Sequence, residues 1–186
     1  MKKIVNITYF VHETTFHNEK GIASGWSDVG LSERGKEGAT KLRTLTKDKT
    51  FDVVFCSDLK RAIESAKIAF VDRFPIIQDK RLREVNYGDL TESDSRIVNS
   101  MIFKCIDKPF PNGESYKDVE RRIREFLNDI LKNYPGKNIA IVAHRAPQLA
   151  LEVIINNKSW EQAIKDDWRS KNPKEWKPGW EYKLES

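Results

Sequence analysis

The chain has 186 residues, the length of one large domain, and 39% of them are hydrophobic, which is enough to bury a core. Charged residues of both signs make up 33%, and the net charge is +5; this balance excludes disordered and fibrous chains but leaves open anionic small molecules and nucleic acid as partners. Nowhere do about 18 apolar residues run together, so we expect no membrane-spanning helix. The two cysteines cannot form a disulfide framework and are typical of a reducing, cytoplasmic setting.

Short apolar runs alternate with longer helical patterns along the first half of the chain. The predicted elements are a strand at Ile4–Val11, a helix at 32–46 capped by Ser32, a strand at 52–56, a helix capped by Asp58 and a strand at 75–78. This β-α-β-α-β order is typical of a parallel sheet. We therefore predict a three-layer α/β fold, with a mostly parallel sheet and helices on both of its faces.

The second half departs from this rhythm once, in an excursion at about 88–110 that holds one predicted helix at 96–105. The clearest helix follows the cap residue Ser115 and stops at Pro135-Gly136. A strand at Asn138–Ala143, helices at 147–155 and 159–168, and an edge strand at 180–184 complete the prediction. We expect one domain over 1–186, with a Trp-rich C-terminal segment at about 168–186.

Ionisable side chains follow three of the predicted strands. Open parallel sheets place their functional sites beyond the carboxyl ends of the strands. His12 follows the first strand, Arg61 lies shortly after the second, and His144 and Arg145 follow the strand at Asn138–Ala143. One histidine in such a position could be a chance polar residue. Two of the chain's three histidines there, with arginines beside them, predict a shared site.

Six short segments carry a family resemblance through their order and spacing. They are Val11-His12-Glu13-Thr14-Thr15 with Asn18; Gly25-Trp26-Ser27-Asp28 with Leu31-Ser32 and Arg34-Gly35; Ser57-Asp58-Leu59 with Arg61-Ala62 and Ala66; Leu82-Arg83-Glu84 with Gly88; Pro111 with Gly113, Glu114 and Ser115; and Val142-Ala143-His144. Together they resemble the histidine phosphatase superfamily, also called phosphoglycerate mutase-like, over most of the chain. Any one segment alone would be a weak signal, but the ordered set is specific.

The resemblance implies a phosphomonoester hydrolase that acts on a small phosphorylated metabolite through a phosphohistidine, without a metal or other cofactor. It implies that His12 is the nucleophile, Glu84 the general acid and His144 a second N–H donor. The phosphate-binding residues it implies are Arg61, Asn18 and Thr15; Arg145 has no counterpart in the family pattern, but we expect it to bind phosphate as well. A neutral imidazole can act as a nucleophile near neutral pH. We expect no nucleic acid partner, because the basic residues are scattered among acidic ones.

The first motif departs from the family pattern at the positions nearest the expected phosphate. Val11 stands where the family has a phosphate-binding arginine, Glu13 where it has glycine, and Arg145 replaces the glycine after the second histidine. Two interpretations of Arg145 are open: it replaces the missing arginine, or it pairs with Glu13. A weakly active or non-catalytic phospho-ligand-binding protein is a further alternative. A mutase is less favoured, because the family's mutases carry longer insertions than the excursion at 88–110.

Four of the five tryptophans lie in the last 27 residues, among basic side chains. In one interpretation, Trp168 and Trp180 pack a terminal helix and strand against the sheet. In the other, residues 173–179 form a basic, aromatic flap, including Trp176, that covers the site and excludes water. We favour packing, because aromatic side chains bury large apolar areas.

Overall fold

Five strands form one sheet in the computed structural model, which describes residues 2–171 and 179–186. The strands are β1 (Ile4–Val11), β2 (Val53–Cys56), β3 (Ile76–Gln78), β4 (Asn138–Ala143) and β5 (Trp180–Glu185). Their spatial order is β3-β2-β4-β1-β5; the first four are parallel, and β5 runs antiparallel to β1 at the edge. The predicted mostly parallel sheet and its terminal edge strand are therefore confirmed.

Helices cover both faces of the sheet, as predicted. They are α1 (Phe16–Glu19), α2 (Glu33–Leu45), α3 (Lys60–Phe70), α4 (Ser95–Met101), α5 (Tyr116–Asn133), α6 (Arg145–Ile154), α7 (Trp160–Asp166) and α8 (Trp168–Lys171). Because side chains alternate along a strand, Ile7 and Tyr9 of β1 pack in the core with α5, α6 and α7, whereas Phe10 packs with α2 and α3. In the described part of the chain, no helix is long and apolar enough to cross a bilayer.

Helix caps agree with the sequence prediction at two starts and disagree at a third. The Ser32 hydroxyl caps α2, and the Ser115 hydroxyl caps α5 in a capping box. The prediction that Asp58 caps α3 is wrong, because Leu59 holds the cap position. The Asp58 carboxylate instead accepts two hydrogen bonds of 2.7 Å from Arg83. A bidentate ion pair of this kind is stronger than a neutral cap.

Two further helix boundaries differ from the prediction. The helix expected at 96–105 ends at Met101, and the chain continues in turns because the Cys105 carbonyl accepts from the backbone of Tyr116. The helix expected at 147–155 begins two residues earlier, at Arg145. Pro147 therefore lies in the first turn, where a proline is tolerated because its missing N–H has no partner to lose.

The strand register brings the two predicted strand-end histidines together. Val11 pairs with Ala143 across β1 and β4, and the backbone N–H of His12 donates to the Ala143 carbonyl at 2.8 Å. His12 and His144 therefore leave neighbouring parallel strands at the same edge of the sheet. The carboxyl end of β2 reaches this edge too, because Cys56 pairs with Val142.

Candidate active site

A cleft of about 400 Å³ lies at the carboxyl ends of the parallel strands. Five of the seven predicted site residues line it: His12, Asn18, Arg61, Glu84 and Arg145. The other two, Thr15 and His144, are fully buried beneath its surface. The lining also includes residues that were not among the predicted site residues, namely Ser24, Tyr87, Ser95, Asn99, Trp168, Arg169 and Trp180.

The His12 imidazole is held in one tautomer by its two neighbours. Its Nδ1 lies 2.7 Å from the backbone carbonyl of Glu13, which only accepts, so Nδ1 carries the proton. Its Nε2 accepts from Arg61 Nε at 3.3 Å and therefore carries the lone pair. Burial, and after it the charge of Arg61, lower the pKa of His12 to about 3. The ring is therefore neutral and nucleophilic at physiological pH.

The His144 ring is tilted against that of His12, with 5.0 Å between the ring centroids and an interplanar angle of 60°. The buried Tyr9 hydroxyl fixes its backbone, donating to the His144 carbonyl at 2.7 Å and accepting from its N–H at 3.0 Å. Burial lowers the pKa of His144 well below its ordinary value, and the charges of Arg61 and His12 act in the same direction. Among the described residues, neither ring nitrogen has a hydrogen-bond partner. The ring therefore keeps an N–H group without an acceptor in the part of the chain that the structure describes.

The Glu84 carboxyl group is bound at the start of α6. Oε1 accepts from the backbone N–H groups of Val85 at 2.9 Å and Ala146 at 3.0 Å. Oε2 accepts one longer bond, of 3.2 Å, from the backbone of Arg145. Because Oε1 has two donors and Oε2 one, Oε2 is the oxygen that can carry a transferable proton. The side chain is 8% exposed and lines the cleft.

The segment that carries Glu84 is fixed by side chains from three separate regions. The Glu84 carbonyl accepts from Trp26 Nε1 at 2.7 Å and from Arg122 Nη2 at 3.0 Å. Arg122 pairs in turn with Glu114, whose other oxygen accepts from the backbone N–H of Asn86, two residues after Glu84. The resemblance motifs at 25–28 and 111–115 therefore help to position the predicted general acid.

Arg61 is buried at the start of α3, and most of its guanidinium is already bound. Nη2 donates to the Gly25 carbonyl at 2.7 Å and Nη1 to the Ser27 carbonyl at 2.9 Å. The sequence predicts that the guanidinium of Arg61 binds a phosphate. Instead, the terminal nitrogens fix the loop before α2, because a buried guanidinium needs acceptors, and Nε is the atom that faces His12.

Thr15 and Asn18 form the capping box of the four-residue helix α1, which the sequence prediction missed because it is too short to show a helical period. Asn18 Oδ1 accepts from the backbone and the hydroxyl of Thr15, at 3.0 and 2.9 Å. The Asn18 amide nitrogen is therefore the group available to a ligand. Thr15 was predicted to bind phosphate, but its buried hydroxyl orients Asn18 instead.

The Glu13 side chain reaches α2. A Cβ atom at Gly38 would lie only 2.4 Å from Glu13 Oε2, so the glycine makes room for this carboxylate. Burial raises the pKa of Glu13, and the charge of Lys41 acts in the opposite direction. The contact with α2 and the charge of Lys41 therefore weaken the repulsion that this carboxylate exerts on a bound phosphate.

Arg145 pairs with Asp167 and not with Glu13, so the predicted ion pair with Glu13 is wrong. Arg145 Nε donates to Asp167 Oδ2 at 2.6 Å, and Nη1 donates to Asn99 Oδ1 at 3.1 Å. Asp167 is fully buried and separates α7 from α8, because Oδ1 accepts from the backbone of Arg169. The continuous helix expected at 159–168 is therefore interrupted.

Two of the C-terminal tryptophans pack together at the cleft. Trp168 and Trp180 stack with 6.1 Å between ring centroids and an interplanar angle of 26°. Trp180 also pairs with Tyr9 in the β-sheet, which agrees with the predicted packing of a terminal strand. Trp176 and nearly all of the expected flap at 173–179 lie outside the described residues.

Across the ranges 2–171 and 179–186, no group of three or more His, Cys, Asp or Glu side chains is arranged to hold a metal ion. The model of the histidine phosphatase superfamily (branch 1) matches residues 12–165. The chain is 32% identical to a 2,3-bisphosphoglycerate-dependent phosphoglycerate mutase of Chelativorans sp., covering 83% of this chain and 82% of that protein. It is 27% identical to phosphoserine phosphatase 1 of Hydrogenobacter thermophilus, covering 80% and 74%.

Among solved structures, the alpha-ribazole phosphatase from Shigella flexneri superimposes with a TM-score of 0.76 at 28% identity, covering 86% of this chain and 84% of that one. These relatives include phosphatases and a mutase, and the expected class of phosphate-ester chemistry is confirmed. The fold, the order of the motifs and the match over residues 12–165 agree with one another. The chain therefore belongs to the histidine phosphatase superfamily, branch 1.

Proposed function

We propose that the protein hydrolyses small phosphomonoesters by transferring the phosphoryl group first to His12 and then to water. The observation that carries this proposal is the arrangement around His12. Its Nδ1 is fixed by the Glu13 carbonyl, and its Nε2 lone pair lies beside Arg61 at 3.3 Å, in the cleft that Glu84 also lines. A nucleophile of one defined tautomer, a cation and a carboxyl group therefore share one space.

The reaction divides into two displacements. In the first, His12 Nε2 forms a bond to phosphorus as the P–O bond to the leaving group breaks, and Glu84 gives its proton to the leaving oxygen. In the second, water attacks the phosphohistidine, Glu84 takes a proton from that water, and the N–P bond breaks to release phosphate. His12 and Glu84 return to their starting forms, so protons and bonds balance over one turnover.

Positioned donors stabilise the charge on the transferring phosphoryl oxygens. We assign this role to Arg61 Nε, to the Asn18 amide and to a ring N–H of His144. Thr15 acts through Asn18, because its hydroxyl binds the amide oxygen. Arg145 and Asn99 both line the cleft, and the bond between them supports a role in holding a polar or anionic part of the substrate.

The substrate class is a small phosphorylated metabolite. The cleft volume of about 400 Å³ suits a ligand of that size. Ser24, Ser95 and Asn99 offer hydroxyl and amide groups, whereas Trp168 and Trp180 offer an apolar wall. The names of the relatives, for phosphoserine and alpha-ribazole phosphatases, support a phosphorylated small molecule with a polar organic part.

The test is phosphate release from a panel of phosphomonoesters, with wild type beside His12→Asn and Glu84→Gln. We expect His12→Asn to lose at least about 1000-fold in kcat/KM, since the nucleophile is removed. His17→Asn is the matched control, because the third histidine lies outside the cleft lining. If His12→Asn is as active as wild type, the proposal is wrong. Isomerisation of phosphoglycerate without phosphate release would establish a mutase instead, and binding without turnover a non-catalytic protein.

We also propose that the protein works in a reducing compartment such as the cytoplasm. Cys56 and Cys105 are both unpaired and buried. Burial raises the pKa of the Cys56 thiol to about 12. The thiol therefore forms little thiolate near neutral pH, and the thiolate is the form that reacts with oxidants. Unchanged melting with and without a reductant would support this setting, whereas stabilisation by an oxidant would contradict it.

A further inference from the structure

The phosphoryl site lacks one cation compared with the family pattern, because Val11 replaces an arginine there. Arg61 does not make up for this loss with its terminal nitrogens, since both already donate to backbone carbonyls. Arg145, the replacement expected from the sequence, has its Nε and Nη1 bound to Asp167 and Asn99. A second phosphate-binding cation must therefore come from another residue of the cleft lining.

Arg169 is that residue. Its Nη1 donates to Asp167 Oδ1 at 2.8 Å and to Gln148 Oε1 at 3.3 Å. Its Nη2 is buried and, among the described residues, has no hydrogen-bond partner. A buried N–H group without an acceptor is costly and is explained most simply by a ligand that supplies one.

The guanidinium of Arg169 is held in place from both sides. It lies 5.0 Å from the ring centroid of Trp168 and 5.6 Å from that of Trp180. On its other edge, Gln148 bonds to Tyr182 of β5 as well. Stacking and hydrogen bonds together fix a planar guanidinium better than either does alone.

The location of Arg169 agrees with the place of the missing arginine. Trp180, over which it stacks, pairs with Tyr9, two residues before Val11 on β1. Val11, His12 and Arg169 all line the same cleft. The charge of Arg169 also contributes to lowering the pKa of His12, after burial and Arg61. The guanidinium therefore lies in the same cleft as His12, over a residue of β5 that is paired with β1.

We propose that Arg169 supplies the guanidinium that Val11 lacks, with Nη2 donating to an oxygen of the phosphoryl group that His12 receives. This inference rests on the proposed function. Asp167 holds Arg145 and Arg169 with a single carboxylate, so these three side chains together carry a net charge of +1. That surplus suits a dianionic phosphate ester.

Arg169→Gln tests the proposal, because glutamine keeps a donor but removes the charge and the fork. The loss of one charge-assisted hydrogen bond predicts a decrease of about 10- to 100-fold in kcat/KM. Phenyl phosphate is the substrate, because it has no second anionic group, and inorganic phosphate is the competitive inhibitor. The inhibition constant of inorganic phosphate should rise by a similar factor in Arg169→Gln. Arg73→Gln is the matched control: Arg73 also stacks on an aromatic ring, Phe74, far from the cleft.

A second variant adds a rescue. Val11→Arg in the Arg169→Gln background restores the family arginine and should recover at least tenfold of the lost kcat/KM. If Arg169→Gln turns over phenyl phosphate and binds phosphate like wild type, the proposal is overturned. It is also overturned if only esters with a second anionic group are affected, because Arg169 would then bind the distal part of the substrate.

Wild-type protein provides a measurement that does not depend on the folding of a variant. Phosphate should protect Arg169 from modification by phenylglyoxal, read by peptide mass spectrometry, and equal modification with and without phosphate would contradict the proposal. Failure of the inference and failure of the proposed function are distinguishable. Full activity in His12→Asn removes the proposed function, whereas an inactive His12→Asn with unaltered Arg169→Gln kinetics removes this inference alone.

Discussion

The cleft has two walls that are built in different ways. The β1 wall, at residues 12–18, is held by short-range contacts: His12 binds the carbonyl of the next residue, and Thr15 and Asn18 cap each other three positions apart. The C-terminal wall is held by contacts between distant segments. Asp167 binds Arg145, 22 positions away, and Arg169 binds Gln148, 21 positions away.

The locally held β1 wall carries the nucleophile. The C-terminal wall, held by distant contacts, carries the arginine that we assign to compensate for the valine at position 11. On the β1 wall, the nucleophile and its tautomer are defined locally, at the end of a strand. On the C-terminal wall, one buried carboxylate, Asp167, joins the two arginines that face the cleft. We infer that the change at Val11 is balanced by Arg169, which lies 158 positions further along the chain.

Asp167→Asn should have the largest effect on stability, because it breaks the C-terminal wall at its centre. Removal of one partner from a buried ion pair leaves the other charges uncompensated, and we expect the free energy of unfolding to fall by about 3 kcal/mol. Urea denaturation measures the change. Asp129→Asn is the matched control: Asp129 pairs with Arg81 at the surface and should cost less than about 1 kcal/mol. Equal effects of the two substitutions would contradict the assigned role of Asp167.

The pH dependence of stability tests whether His12 and His144 are held neutral in the folded protein. Burial lowers the pKa of His12 to about 3 and that of His144 well below 6.5, whereas the unfolded chain binds protons near pH 6.5. The unfolded state therefore binds more protons below pH 6.5. Stability from these groups is present in full above that pH and is lost as the pH falls toward 3, by up to about 1.4 kcal/mol per pH unit for each histidine.

Urea denaturation between pH 7 and pH 5, in phosphate-free buffers, measures this loss. His144→Gln should reduce the slope of the free energy of unfolding against pH, because glutamine does not titrate. The reduction should equal the contribution of one histidine. His17→Asn serves as the histidine control. If wild type and His144→Gln lose the same stability over this range, His144 is not held neutral in the folded protein.

Substitutions at Glu13 and Gly38 should have the smallest effects, and they test how the altered first motif accommodates its carboxylate. A methyl group at Gly38 would lie 2.4 Å from the Glu13 carboxylate and must displace it. Gly38→Ala should therefore lower kcat/KM a few-fold, whereas Glu13→Gly alone should leave activity unchanged or raise it. In the Glu13→Gly background, Gly38→Ala should instead stabilise the protein by about 0.5–1 kcal/mol, since alanine favours the helix.

Steady-state kinetics and thermal melting of the four proteins of this cycle provide the readout. If the two sites were independent, the changes in the free energy of unfolding of the two single variants would add up to that of the double variant to within about 0.5 kcal/mol. Additive effects would mean that the Glu13 side chain does not depend on Gly38 for its orientation.

The sequence predicts the sheet and the reacting residues because both depend on local patterns. Strand ends follow from apolar runs, so His12 and His144 could be placed at one edge before any contact was known. The ordered motifs added Glu84 and Arg61. The resemblance could not tell that the terminal nitrogens of Arg61 bind loop carbonyls, because this depends on the path of the chain at 25–27.

The C-terminal wall could not be predicted for a related reason. Arg169 was one of several basic residues among tryptophans, and nothing in its neighbourhood distinguishes it. Its position depends on the interruption of the helix at Asp167 and on the pairing of Trp180 with Tyr9, which are contacts between segments far apart in the chain. The same holds for Glu13, whose orientation depends on a glycine in the next helix.

Rapid-quench trapping shows whether His12 carries the phosphoryl group during turnover. Wild-type protein is mixed with a ³²P-labelled phosphomonoester on which it is active, denatured within milliseconds, and digested for peptide mapping. The account predicts a phosphoryl group on the peptide that contains His12, stable in alkali and labile in acid, and absent from His12→Asn. Turnover of the same ester with no label on His12, or with an acid-stable label on another residue, would contradict it.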